Sequence, residues 1–455
     1  MCFTRLFLLA VFVAMISTQN VSANGNAALL EEYINLDDGA LDYSLVEEKR
    51  ASGGTFYILH LTSQEWRGRE WEHWLTIYAP EEPVHPDAGI LIIEGGNNTD
   101  EPPSLNDIDG MAKTFITTQI NVPLAVLQQV PNQPLLGGLR EDALIAETFE
   151  RFLGEGDKDW PLLLPMTKSG VRAMDAIEAF LKEQKDLDIE RFIVGGGSKR
   201  GWTSYLTAAV DERVAGLVPV VIDMLNLTDH MERQMQSYGE YSDMIHDYSE
   251  RNLIKRMSSE EGRKLAELVD PYYYRDRLTM PKLIILGTND PYWVADAADL
   301  YFDDLPDPKS LHYGVEVGHD VGLESIPTLL YFFNSTLADE SMPVLEWERN
   351  GDGSKTVRWE SDRAEARLYT AESETRDFRD SSWQHETLRA RGKQVTINME
   401  GPEEGYLAYF VEVRFPDQRL SGTTVPAALA LSTPINILPE TFPYDAKGDP
   451  ETGTR

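Results

Sequence analysis

Two stretches of this chain are apolar without interruption: Gly89-Ile90-Leu91-Ile92-Ile93 and Leu124-Ala125-Val126-Leu127. A strand with one face in water alternates apolar and polar residues, so a short run with no alternation reads as a strand buried on both faces. Such strands occur in sheets covered by helices on both sides. Further runs of this kind are Phe192–Val194, Leu217–Ile222, Leu283–Leu286 and Leu311–Val315, preceded by strand-like Thr55–Leu61 and Trp74–Ala79. Between them Val171, Met174, Ile177, Phe180 and Leu181 recur at helical spacing. Strands alternating with helices predict an α/β fold with a doubly wound, mostly parallel sheet.

The alternation stops twice. Residues 223–278 are long, polar and rich in Met and Tyr, with helical signals and no strong strand; they read as a lid inserted over the sheet. After about residue 340 the pattern becomes short strands split by Gly, Asp, Ser and Pro, from Leu345–Trp347 to Ala428–Leu431. That spacing predicts a small all-β sandwich of Ig or fibronectin-III type. The expected organisation is a main α/β domain over 24–340, the sandwich over 341–438 and a loose tail over 439–455.

The first residues read as an address. Arg5 is the only charge before the apolar run Leu6–Ile16, and Val21-Ser22-Ala23 offers small residues at a cleavage site. The run is too short to span a bilayer as a mature helix, although an uncleaved anchor is the competing reading. Residues 1–23 are therefore expected to be a signal peptide, giving an exported, periplasmic or extracellular protein with no stable membrane insertion after cleavage. The single cysteine, Cys2, lies inside it, which excludes a disulfide, a thiolate nucleophile and a Cys-based zinc site in the mature chain. With 41 Lys plus Arg against 76 Asp plus Glu the net charge is −35, and so acidic a surface repels nucleic-acid backbones.

The chemistry-bearing residues stand at the ends of three of the strands. Phe192-Ile193-Val194-Gly195-Gly196-Gly197-Ser198-Lys199-Arg200-Gly201-Trp202 runs a buried strand through glycines and a serine into a helical pattern, the context of a nucleophile elbow. The usual spacing is Gly-x-Ser-x-Gly; here Arg200 stands at the second glycine and Gly201 follows it, so by pattern alone a plain glycine-rich turn remains open. A serine needs a base, and the base an orienting acid. Asp290 follows the strand Leu283–Leu286, and His319 follows Leu311–Val315, in the chain order Ser, Asp, His of this fold. The oxyanion donors are expected from the backbone of Lys199 and from Gly95 or Gly96, the turn after Ile90–Glu94. Asn97, Trp202, Met224, Tyr238 and Trp293 are the candidate substrate-binding residues. The lid acids Asp229, Glu232, Glu240, Asp243, Asp247 and Glu250 read either as a rim drawing cationic substrates or as a solvated outer face. No His pattern has metal-ligand spacing, Asn350–Gly353 reads as a β-turn, and no metal or cofactor is expected.

Several separated stretches resemble the PhoPQ-activated pathogenicity-related protein family, which includes secreted autocrine proliferation repressors. They are Gly196-Gly197-Ser198-Lys199-Arg200-Gly201-Trp202, Trp74–Pro80, Val130–Leu135, Glu141–Ala146, Leu164–Lys168, Gly287-Thr288-Asn289-Asp290 and Gly318-His319. The resemblance spans roughly residues 30–335. It implies an α/β-hydrolase fold, an exported protein, a Ser-Asp-His site, and Arg rather than Gly after the Ser-Lys pair. The resulting expectation is a serine hydrolase acting on a small-molecule or peptide substrate, an ester or amide. A peptidase on the same fold and a non-catalytic extracellular binding or signalling protein are the alternatives.

Overall fold

The computed structural model describes residues 28–51, 53–104, 120–416 and 428–450. The expected signal peptide, residues 1–23, and the end of the tail, 451–455, lie outside the described residues.

The central sheet has nine strands in the order β1-β2-β3-β5-β4-β6-β7-β8-β9. They are β1 (Asp42–Ala51), β2 (Gly54–Trp66), β3 (Arg69–Pro80), β4 (Ala88–Ile93), β5 (Leu124–Leu127), β6 (Arg191–Gly197), β7 (Val214–Val220), β8 (Lys282–Gly287) and β9 (Lys309–Gly314). The strands from β5 to β9 pair in parallel with their spatial neighbours. β1, β2 and β3 form an antiparallel flank that joins at β5. The sheet is therefore mixed, parallel only where the unbroken apolar runs lie. β1 is exposed along its length and carries Glu47, Glu48, Lys49 and Arg50, which suits a sheet edge that must not pair with another chain.

Both faces of the parallel part are covered. Leu91, Val194 and Ile284 point to a core shared with helices α2 (Leu163–Lys185) and α3 (Lys199–Val210), while α1 (Glu141–Glu155) precedes them in the chain. The apolar repeat Val171, Met174, Ile177, Phe180 and Leu181 of α2 lies in that core. Ile90, Ile193 and Ile285 point the other way, onto Leu330, Phe333 and Leu337 of the C-terminal helix Ile326–Leu337.

The insertion between β7 and β8 contains α4 (Leu227–Tyr238), short helical turns, and α5 (Glu260–Val269). The carboxylate of Asp270 accepts from the amides of Leu227 at 2.8 Å and Tyr272 at 2.9 Å, so one buried acid ties the start of the insertion to its end. The helix Ile326–Leu337, α6, follows β9.

Beyond it lie β10 (Leu345–Arg349), β11 (Lys355–Trp359), β12 (Glu365–Ser373), β13 (Gln384–Thr387), β14 (Gln394–Ile397), β15 (Tyr406–Pro416), β16 (Ala428–Ser432) and β17 (Asn436–Leu438). They form two antiparallel sheets, β10-β11-β14 and β13-β12-β15-β16, with β17 added to β15. Leu368, Val411 and Val413 face Val357, Val395 and Ile397 of the smaller sheet. On the opposite side Tyr369 stacks on Phe410 at 5.0 Å, and Phe410 meets Tyr313 of β9 at 5.2 Å. The segment after Pro439, expected as a loose tail, is fastened to the body at Pro439, Thr441, Phe442 and Tyr444. Tyr444 donates to Gln236 O of α4, and Arg376 donates to the carbonyls of Pro439 and Thr441 and lies over Phe442.

Candidate active site

The sheet order reverses at β4, which has β5 on one side and β6 on the other. Ligands of open α/β sheets bind beyond the strand ends at such a switch point. The register sets Ile93 beside Gly196 and Gly197 beside Val220, so the turns after β4, β6 and β7 leave the sheet side by side.

Ser198 sits between β6 and α3 with φ 56° and ψ −129°. A residue with a side chain enters that region only when the surroundings enforce it, at about 1–3 kcal/mol. Two glycines allow it. A Cβ on Gly196 would stand 2.8 Å from the Arg200 carbonyl, and one on Gly201 would stand 2.8 Å from Gly196 O. The close approach is thus between Gly196 and Gly201, and position 200 is free to carry a side chain. Arg200 uses it to donate from Nε to Val130 O at 2.6 Å and from both terminal nitrogens to Glu141.

His319 Nε2 lies 2.8 Å from Ser198 Oγ, and His319 Nδ1 lies 2.7 Å from Asp290 Oδ2. Asp290 is 6% exposed and its other oxygen accepts from the Tyr292 amide at 2.9 Å. The three side chains therefore form one hydrogen-bonded line, with the serine at its solvent end. Such a line can move the hydroxyl proton onto the imidazole while the carboxylate holds the ring. The loops bearing the acid and the base are braced by the connection between β12 and β13. Asn289 Nδ2 donates to the carbonyls of Arg379 at 3.0 Å and Ser381 at 2.8 Å, and the Trp383 amide donates to Glu316 at 2.9 Å.

A buried charge network flanks the serine. Lys199 Nζ is 3.0 Å from Glu141 and 2.9 Å from Asp142, and Tyr248 donates its hydroxyl to Asp142. Burial pushes the Glu141 carboxyl up, but Arg200 and Lys199 outweigh it and hold it down to about 2. Burial, then the Asp142 charge, push the Tyr248 phenol well above its ordinary range.

A cavity of about 70 Å³ opens from Ser198 between α1, α3 and the lid. Lys199, Trp202, Met224 and Trp293 line it; Asn97 and Tyr238 do not. Asn97 is exposed and accepts from Arg140, because its turn leads away from the lid. Tyr238 is drawn under Arg379 and donates to Trp293 O. Gly95 lies against the Arg200 guanidinium, which a Cβ would strike, and Gly96 has φ +126° beside Gln129. None of the six lid acids lines the cavity; Asp229, Glu232, Glu240, Asp243 and Glu250 are exposed. The sequence reading gave no site role to Tyr292, Phe149, Glu141 and Asp142, whereas Tyr248, one of the Met and Tyr residues that it expected to form a binding wall in the lid, does line the cavity. Tyr292 stands two residues after Asp290, beside the aromatic that was singled out. The acids at 141–142 carry no local signal, since their cationic partners lie at 199 and 200. Among the described residues no group of three or more His, Cys, Asp or Glu is placed to hold a metal ion.

The family model of the PhoPQ-activated pathogenicity-related protein matches residues 30–379. Autocrine proliferation repressor protein A of Dictyostelium discoideum is 27% identical over 472 aligned residues, covering 93% of this chain and 94% of that protein. Among solved structures, acetyl xylan esterase 1 from Thermoanaerobacterium sp. is 15% identical with a TM-score of 0.48, covering 69% of this chain and 93% of its own. A glucuronoyl esterase from Solibacter usitatus is 14% identical with a TM-score of 0.45, covering 68% of this chain and 91% of its own.

Proposed function

The chain belongs to the PhoPQ-activated pathogenicity-related protein family, and on that premise we propose that it is an exported serine hydrolase that transfers an acyl group from an ester or amide to water. The observation that supports this reading best is the hydrogen-bonded line Ser198–His319–Asp290 rising from a strained strand-to-helix turn. In this proposal His319 takes the Ser198 proton as Oγ attacks the substrate carbonyl. The oxyanion is held by the Lys199 amide, which opens α3 and has no acceptor within the helix, and by an amide of the 95–96 turn. The imidazolium then protonates the leaving group, and water, activated by the same ring, releases the acyl group from Ser198. Export rests on the address-like residues 1–23. The Ig- or fibronectin-III-type reading of the C-terminal strands is part of the proposal, supported by their antiparallel pairing in two sheets.

A second reading, a non-catalytic extracellular signal, is favoured by the name of the Dictyostelium relative. One experiment separates the two. A fluorophosphonate probe should label the purified protein at Ser198, and Ser198→Ala and His319→Ala should abolish labelling while circular dichroism stays unchanged. An unlabelled, folded protein would reject the hydrolase reading in favour of the second.

A further inference from the structure

We propose that the group next to the scissile carbonyl is a short, uncharged, apolar chain of about three carbons, an inference that rests on the hydrolase reading above. The cavity that starts at Ser198 is walled by Phe149, Trp202, Met224, Met231, Leu253 and Met257, together with further apolar side chains. Phe149 and Trp202 come from α1 and α3, Met224 from the loop after β7. Met231, Leu253 and Met257 come from the lid and stand across it. The lid thus sets the far wall, and with it the length of chain the site accepts.

Size and charge both restrict the occupant. A cavity of about 70 Å³ is roughly half the ~150 Å³ that takes a benzene ring, which leaves room for about three methyl or methylene groups. An acetyl group leaves most of that space empty, and an octanoyl chain requires the lid to move. Among the described residues the one ammonium at the wall is that of Lys199, already held by Glu141 and Asp142, with the Tyr248 hydroxyl on Asp142 as well. Among the described residues lining the cavity no unpaired cation remains to receive a carboxylate at the end of the chain, and burying an unpaired carboxylate is strongly unfavourable. The lid acids, being outside the cavity, play no part in this selection.

The test uses the full mature chain and p-nitrophenyl acetate, butyrate, octanoate and hemisuccinate, comparing kcat/KM. Each buried methylene is worth about fourfold, so butyrate should exceed acetate by about 15-fold. Octanoate should fall below butyrate, and hemisuccinate below acetate. Met231→Ala should move the maximum toward octanoate, and Met257→Ala serves if that variant does not fold. Ser198-dependent turnover that is flat or falling from acetate to butyrate, or a maximum that stays put in a folded lid variant, would overturn the chain-length inference and leave the hydrolase reading intact. No turnover of any ester, together with no fluorophosphonate labelling, would overturn both.

Discussion

The phenol ring of Tyr292 lies against the imidazole of His319, with ring centroids 4.1 Å apart and 31° between the planes. The amide of the same residue donates to Asp290. One residue therefore contacts both the imidazole and the carboxylate that orients it, and burial, followed by the Asp142 charge, raises its phenol to about 12, so it stays neutral.

Replacing that ring should loosen the imidazole without breaking the backbone bond to Asp290. An aromatic pair is worth about 0.5–1.5 kcal/mol, so Tyr292→Ala should lower kcat by up to about tenfold. Tyr292→Phe should keep most of the rate. Steady-state kinetics on one chromogenic ester checks both; an equal loss in the two variants would place the effect in the hydroxyl instead.

Ser198 holds a left-handed backbone that glycine adopts freely. Ser198→Gly should abolish hydrolysis yet raise unfolding stability by about 1 kcal/mol. Chemical denaturation alongside an activity assay measures the two together. A destabilised Ser198→Gly would mean that the hydroxyl contributes more to the fold than the strain costs.

Glu141→Gln leaves Arg200 and Lys199 facing each other with Asp142 as the remaining acid. Breaking a buried pair costs about 3–5 kcal/mol, and because the Glu141 side chain is 39% exposed the expectation is nearer 2 kcal/mol. The folded carboxyl is depressed to about 2 from an ordinary value of 4.5, so its contribution is present above about pH 4.5 and is lost as the pH falls through 2. The difference between native and variant stability should therefore shrink between those values in a urea titration.

His230 is fully buried against Trp293, with neither ring nitrogen bonded. Burial, then the Arg233 charge, depress it to about 3. The unfolded chain binds a proton below about pH 6.5 that the folded chain refuses, so stability falls as the pH drops from there toward 3. His230→Phe removes that dependence. Its stability advantage over the native protein should be about 2 kcal/mol larger at pH 5 than at pH 7.5. An advantage independent of pH would show that the ring escapes burial on protonation.

Asn289 connects the loop of the acid to the segment between β12 and β13. Asn289→Ala removes two hydrogen bonds to the carbonyls of Arg379 and Ser381. About 1 kcal/mol each is expected in stability, with kcat lowered more than KM is raised, because the loop it fixes carries Asp290 rather than the substrate pocket. A change confined to KM would contradict that placement.

The parallel strands were legible because burial on both faces leaves a mark in composition: Ile90 and Leu91 point opposite ways and both must be apolar. That Ser198, Asp290 and His319 each follow a strand of the parallel part, and so stand at one edge of the sheet, was legible from their order along the chain. β1 was not, because an edge strand in water carries no apolar alternation. The membership of the pocket was half legible. Trp202, Met224 and Trp293 are apolar and near the right strand ends. Tyr238, equally apolar in sequence, turns to Arg379 and Trp293 O, a choice made by residues more than fifty positions away. The partnership of Glu141 with Lys199 and Arg200 is of the same long-range kind.

The β12–β15 pair at the centre of its sheet is covered on both faces. Tyr369 and Phe410 are committed to the central core and Leu368 and Val411 to the sandwich core. A layer shared in this way cannot be inherited or lost as a cassette. Separation at the end of α6 would strip the cover from Tyr313 and unbrace the loops of Asp290 and His319 at one stroke.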